Sequence, residues 1–216
     1  MTPRPATPVD SPPLSGRTRR TQQQRRAEAE QRVIEAAIEL IAENGFAGLV
    51  LSDVGERAGY SRGLPAHYFG TRDGLAAEAA RRIVGRFAAR VDERLRGVTG
   101  LAAILQFAGD YIDNAAQDPV RSQALLIVLT EATTNSVLST QIRELNRATL
   151  RRLAGAIRDG LARGEIRADV SPEARAITIL GMTRGLVSQW LADPAAVDIA
   201  AVRADLVAAV EQGLRP

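Results

Sequence analysis

The stretch AGYSRGLPAHYFGTRDGL, Ala58 to Leu75, decides how this chain is read. It crowds four glycines, a proline, the adjacent rings of His67, Tyr68 and Phe69 and two arginines into eighteen residues, breaking the Ala- and Leu-rich pattern on either side. Glycine accepts the left-handed backbone that ends a helix, so Gly59 and Gly70 mark two stops. Between them Ser61 is suited to cap the free amides of a new first turn, which predicts a short helix from there to about Phe69. On that count Pro65 falls at the fourth helical position, where only the first intrahelical bond is lost.

Upstream, Val33, Ile34, Ala37, Ile38, Leu40 and Ile41 recur at spacings of three and four, with glutamates between them, which predicts an amphipathic helix over Glu28 to Asn44. Asn44 and Gly45 stop it, and Phe46 is placed to fold back onto its apolar face. A short helix fits Leu51 to Ala58. Downstream, Thr71 is placed to cap a fourth helix that runs through Leu75, Ile83 and Phe87 toward Gly97. A core-forming helix followed by two short helices across a glycine turn describes a helix-turn-helix, whose second short helix enters the major groove of DNA. Ser61, Arg62, His67, Tyr68 and Arg72 then become polar probes around one groove. Phe69 reads as core. His67 is open to two readings, a satisfied core group or a contact to phosphate or a base edge.

Here the sequence resembles the TetR family of one-component repressors. The pattern covers residues 32 to 78: Asn44-Gly45-Phe46, Asp53-Val54-Gly55-Glu56-Arg57-Ala58-Gly59, Ser61-Arg62-Gly63, His67-Tyr68-Phe69 and Thr71-Arg72-Asp73-Gly74-Leu75. The resemblance implies a DNA-contact set of Ser52, Ser61, Arg62, Gly63, Leu64, His67, Tyr68, Thr71 and Arg72. Arg72 would clamp the phosphate backbone beside the free amides of its helix end. The chain departs from the family's habit at Leu49, where threonine is usual, at Gly55, where alanine is usual, and at Pro65-Ala66, where a Leu-Tyr pair is frequent. Ser52 is expected to replace the missing cap, and Gly55 to keep the close crossing of the two short helices while loosening the second of the four helices.

Charge follows the same division. The 216 residues contain no cysteine and one histidine, which removes disulfides, thiolate metal sites and most imidazole sites. No metal and no cofactor are expected. All basic residues are arginine, and residues 1–27 hold six of them against Asp10, a balance of +5, although the whole chain carries only +3. Residues 1–21 are too rich in Pro, Ser and Thr to fold, and they read either as a solvated tail or as a basic arm that touches an anionic polymer. No stretch has the apolar core of a secretory signal or the length of a membrane span, which predicts a cytoplasmic protein without membrane contact.

Beyond Gly100 only helical patterns occur, broken at Asp118-Pro119, Gly164, Ser171-Pro172 and Asp193-Pro194. The expected fold is therefore all-α with about nine helices. Residues 22–72 form a three-helix DNA-binding domain, and residues 73–216 a helical domain for ligand binding and dimerisation. The helix from Ser171 to Leu191 has only Arg184 charged between Arg175 and Asp193 and is otherwise apolar all round there, so it needs cover on every side. The resemblance implies that the last two helices pair with a second copy, through Ile177, Gly181, Arg184, Gly185, Trp190, Val202, Leu206 and Val210. Phe87, Phe107, Tyr111, Leu126, Thr130 and Met182 are candidate lining for an apolar effector cavity, or plain core.

Together these readings predict a homodimeric regulator, most simply a repressor, that binds a pseudo-palindromic DNA operator and is released by a small-molecule effector. The alternatives are a DNA-binding protein without ligand response and an all-helical enzyme. The enzyme reading has no metal cluster and no uncommitted histidine to support it.

Overall fold

A computed structural model describes residues 21–94 and 96–216, and the side chains of these residues except 90–92. The expected arm, apart from Thr21, lies outside the described residues. The described residues form nine helices and no strand: α1 Gln22–Asn44, α2 Leu51–Arg57, α3 Leu64–Phe69, α4 Arg72–Arg94, α5 Gly100–Gln117, α6 Pro119–Glu131, α7 Ser136–Ala162, α8 Pro172–Ala192 and α9 Ile199–Gln212.

Helix α1 starts six residues before the apolar pattern does. Thr21 accepts from the Gln24 amide at 3.2 Å, and the Gln24 side chain accepts from the Thr21 amide at 2.9 Å, a reciprocal cap that starts the helix on polar residues. The exposed pairs Arg26–Glu30 and Glu28–Arg32, each four apart, support those first turns. Periodicity alone could not mark a start that no apolar residue announces. At the other end Gly45 takes φ +71° and Phe46 is buried, as expected.

Helix α3 begins later than expected, at Leu64. Ser61 makes no side-chain cap; its carbonyl accepts from Leu64 N at 3.1 Å, so Ser61–Gly63 form a turn and Gly63 holds the cap position. Pro65 therefore sits in the first helical turn, where its missing N–H has no partner to lose. Thr71 caps α4 as expected, accepting from Gly74 N at 3.0 Å. Ser52 does not replace the missing cap on α2. Its hydroxyl donates to the Asp53 carboxylate at 3.1 Å, and Val50 at the cap position offers no side-chain oxygen.

The apolar faces meet in two buried clusters. The first joins α1, with Val33, Ile34, Ile38 and Ile41, to Val54, Leu75 and Ile83. It continues into α6 through Ala124, Leu125 and Val128 and into α7 through Leu138 and Ile142. The second joins α5, the later part of α7, α8 and α9 around Ile104, Ile112, Ile157, Ile179 and Leu206. Each fully buried Leu or Ile contributes about 1.5–3 kcal/mol. The expected boundary at residue 72 thus has no counterpart in the packing, because α4, α6 and α7 all enter the core beneath α1.

Polar ties fix the layers. Arg57 on α2 makes two parallel bonds to Glu43 on α1, at 2.9 and 2.8 Å, which hold the Glu43 carboxyl below its usual range. Glu35 on α1 meets Arg86 of α4 at 2.7 Å and also pairs with Arg121 of α6. Arg203 of α9 reaches Asp113 of α5 at 2.7 Å, passing over Gly109, where a Cβ would lie 2.7 Å from the guanidinium.

Candidate functional site

Two places gather the residues singled out above. The first is α3 with its flanking turns. Ser61, Arg62, Gly63, His67, Thr71 and Arg72 are exposed there, while Leu64 and Tyr68 are half-buried. Ser52, in the first turn of α2, is also half-buried. Phe69 packs against the first core, in line with its core reading, whereas His67 points away from it and touches the Tyr68 ring at 5.4 Å between centroids.

Two arginines are held over rings. Arg72 lies 4.5 Å above the Phe46 ring and Arg26 lies 5.5 Å above Tyr68. Such contacts restrict the side chain without neutralising its charge, worth about 0.5–1 kcal/mol each at an exposed site. Arg62 instead pairs with Glu56 of α2. Arg26 was not among the expected contacts; an exposed arginine on a polar turn carries no mark in sequence until its neighbour Tyr68 is known.

The geometry also explains Gly55. It is buried where α2 meets the turn before α3, and a Cβ there would stand 2.6 Å from the Ser61 carbonyl oxygen and 3.1 Å from Arg62 Cα. Both neighbours are backbone, so neither can swing away. The glycine lets the turn that presents Ser61 and Arg62 come closer to α2 than an alanine allows, a stronger role than keeping an ordinary helix crossing.

The second place is a small cavity between α4, α5, α6, α7 and α8, of about 30 Å³. That is room for water and not for an organic molecule. Its wall is apolar, with Val84, Phe87, Leu125, Leu126 and Val187, and Tyr111, Asn114, Thr149 and Arg184 supply polar groups. A more open groove of about 240 Å³ adjoins it, sharing Val84, Phe87 and Thr149 and adding Phe107 and Leu145. Of the candidate lining residues, Phe87, Tyr111 and Leu126 stand in the wall of this cavity, and Phe107 in that of the adjoining groove. Thr130 does neither. It faces a separate groove beside α1 and the end of α8, and its hydroxyl donates to Leu126 O at 2.9 Å. Met182 packs half-buried against the second core and lines none of these spaces, because its position on α8 is turned from the α4 side.

Arg184 is a second correction. It was expected to face a partner subunit, but it lines the cavity, donating to Asn146 Oδ1 at 2.8 Å and touching the Tyr111 hydroxyl. Burial pushes that hydroxyl above its ordinary pKa and the Arg184 charge pulls it partly back. Trp190, Leu206 and Val210 also leave the expected interface, since each is buried in the second core of its own protomer. Ile177, Gly181 and Gly185 stay exposed along α8, and Val202 is half-buried on α9. Among the described residues no cluster of His, Asp and Glu could hold a metal, and no helix is long and apolar enough to cross a membrane.

Comparison with known proteins joins the two places into one architecture. Residues 33–79 match the model of bacterial regulatory proteins of the tetR family, and residues 101–215 match that of the BetI-type transcriptional repressor C-terminal domain. The chain belongs to the TetR family. It is a transcriptional regulator with a DNA-binding helix-turn-helix, not an enzyme. The fatty acid metabolism regulator protein of Bacillus subtilis is 23% identical over 84% of this chain and 93% of that protein. The regulator BetI of Burkholderia ambifaria is 35% identical over 41% of this chain, a match spanning about half (47%) of BetI. A TetR-family regulator structure from Rhodococcus superposes with a TM-score of 0.78 at 26% identity, covering 87% of this chain and 99% of that one. The Bacillus subtilis FadR complex with stearoyl-CoA gives 0.77 at 22% identity over 85% and 98% of the two chains. A regulator from Saccharomonospora viridis in complex with choline gives 0.73 at 22% identity over 88% and 99%.

Proposed function

We propose that this regulator works in the cytoplasm as a homodimer, holding a pseudo-palindromic operator with its two α3 helices and releasing it when a small molecule opens the cavity. The observation that carries the reading is the course of α4. The helix starts at the exposed Arg72, passes beneath the recognition unit at Leu75 and Ala76, and reaches the cavity at Ile83, Val84 and Phe87. Fifteen residues from Arg72 to Phe87 span about 22 Å, so one rigid element serves both places. Because the cavity has room only for water, an occupant must displace α4 or its neighbours, and a dimer whose half-site spacing must match successive major grooves loses both contacts together. That relatives of the same fold hold stearoyl-CoA in one case and choline in another supports a small-molecule effector here.

The dimer is supported by α8. Ile177 is 60% exposed, and a Cβ at Gly181 or Gly185 meets nothing within 4 Å in the protomer, so a second helix has room to approach. The basic arm adds counterion release to DNA binding. The test has three parts: selection of bound DNA from a random pool, sedimentation of the free protein, and operator titration with and without effector. Recovery of inverted repeats, a dimeric mass and ligand-dependent release are the expected results. A monomer bound to single half-sites would overturn the proposal.

A further inference from the structure

The cavity holds a charge that the protein leaves without a counter-charge. Arg184 is set in an apolar wall, yet no described carboxylate lies within ion-pair distance of it; its partners are the neutral Asn146 side chain and the Tyr111 hydroxyl. Its Nε–H is buried with no hydrogen-bond partner, and so is Asn114 Oδ1 in the same lining. A half-buried guanidinium on neutral partners, with its buried Nε–H unused, is costly to keep. Arg57, Arg62, Arg86, Arg121 and Arg203 are each paired with an acid, and Arg72, which is not, stands exposed to solvent over the Phe46 ring; Arg184 lacks an acid while lining a cavity.

Resting on the effector reading above, we infer that the effector is an amphipathic carboxylic acid, and that Arg184 receives its carboxylate with help from Tyr111. The guanidinium presents a planar fork that fits a carboxylate through two parallel bonds. The Tyr111 hydroxyl has a proton to donate as well. The apolar body then extends past Val84 and Phe87 into the adjoining groove, where Phe107 and Leu145 line the wall. This order, head inside and tail outward, follows from where the unpaired charge lies.

The same features disfavour the ligand types held by the two relatives. A quaternary ammonium needs open ring faces, whereas Phe87 meets Phe107 and Tyr111 edge to face at 5.7 and 5.4 Å, Phe107 and Tyr111 tilt against one another at 6.0 Å, and Arg184 repels a cation. A coenzyme A thioester has no charge at its acyl end, and among the residues lining the groove only Arg152 could meet its phosphates.

The experiment measures binding to the full-length dimer by calorimetry, with medium-chain and aryl carboxylates, their methyl esters, choline and stearoyl-CoA as probes, beside operator affinity without ligand. At least one acid should bind about 10- to 100-fold more tightly than its own ester. Arg184→Gln should erase that preference, Arg184→Lys should restore part of it, and Tyr111→Phe should weaken the acid alone. The acid–ester difference in the unaltered protein stands even if a variant fails to fold. Equal binding of acid and ester, an unchanged preference in Arg184→Gln, tighter binding of choline or stearoyl-CoA, or no binding of any acid at millimolar concentration each overturns the inference. Operator release by choline or stearoyl-CoA would do so while leaving the effector-responsive reading intact; DNA binding that no probe alters, with every probe bound, would sink that reading instead.

Discussion

Arg62 and Arg184 show how differently the two functional regions are built. Arg62 stands on a turn before a six-residue helix, with 73% of its side chain exposed, paired with a glutamate one helix away. Arg184 stands mid-way along a 21-residue helix, half-buried, with a donor left over. In the DNA-facing region the backbone carries the design: positive-φ glycines at 59 and 70, a glycine at 55 where no Cβ fits, a capping threonine at 71. Around the cavity the backbone is plain helix, and what matters is which faces of five helices meet. The first region should therefore fail through single backbone positions, and the second through volume and charge.

The largest expected effect lies in the second region. Phe107 is 5% exposed and contacts both Phe87 and Tyr111, so Phe107→Ala removes a large ring from the wall between groove and core. A loss of about 3–5 kcal/mol is expected, a fall of roughly 6–20 °C in thermal midpoint for a chain of this size. Operator affinity of the folded fraction should stay within about twofold, because no DNA-facing residue rests on that ring. Calorimetric melting and operator anisotropy at low temperature measure the two halves. A comparable collapse of DNA binding would erase the distinction between the regions.

Gly55→Ala sharpens it from the other side. Alanine gains about 1 kcal/mol of helix propensity, but overpacking against fixed backbone costs about 1–3 kcal/mol. The net change in chemical denaturation should be destabilising and modest, whereas operator affinity should fall at least tenfold, since the displaced atoms carry Ser61 and Arg62. Full DNA binding in this variant would mean the turn has slack that the structure does not display.

The same contrast explains what could be read from residues alone. The all-helical fold, the ends of α1 and α2 and the cap of α4 were legible, because glycine, threonine and helical periodicity each answer a local demand. The start of α3 was misplaced by two residues, since a serine before a helix has two uses, side-chain cap or turn, and the carbonyl of Ser61 took the second. The cavity was legible in its aromatic members and little else. Asn114 and Thr149 look like solvent-facing positions on long helices, and only the meeting of α5 with α7 turns them inward. Arg184 was conspicuous as the one charge on α8 beyond Arg175, yet a cavity and a partner subunit make the same demand of such a residue.

Smaller effects should separate the DNA contacts among themselves. Arg72→Ala removes a cation from the start of α4 and should reduce the salt slope of binding by about one unit, with similar loss on all sequences. Arg62→Ala should cost about 1–3 kcal/mol on the preferred operator and relax sequence preference, as a residue reading base edges does. Affinity measured over a salt series on specific and random duplexes distinguishes the two. A sequence-selective loss at Arg72 or a uniform one at Arg62 would exchange their roles.

The smallest expected effect concerns what joins the two regions. Glu35 lies on α1 beneath the recognition unit, and its carboxylate bridges Arg86 on α4 to Arg121 on α6, the two helices that wall the cavity on that side. It touches neither DNA nor cavity, so it has no part in either affinity by itself. An effector that moves α4 against α6 must strain or break this bridge, and the bridge in turn favours the arrangement in which α1 and α4 brace α3. Glu35→Gln keeps the shape and removes the charge. Operator affinity without ligand and effector affinity without DNA should each change by less than about twofold, whereas the factor by which one weakens the other should fall by an amount equivalent to about 0.5–2 kcal/mol. Linkage requires that the fall be the same measured from either side, which gives two titrations of one quantity. An unchanged coupling factor in a folded Glu35→Gln dimer would place the communication in α4 alone, and the two regions would then be joined by a single helix rather than by a braced pair.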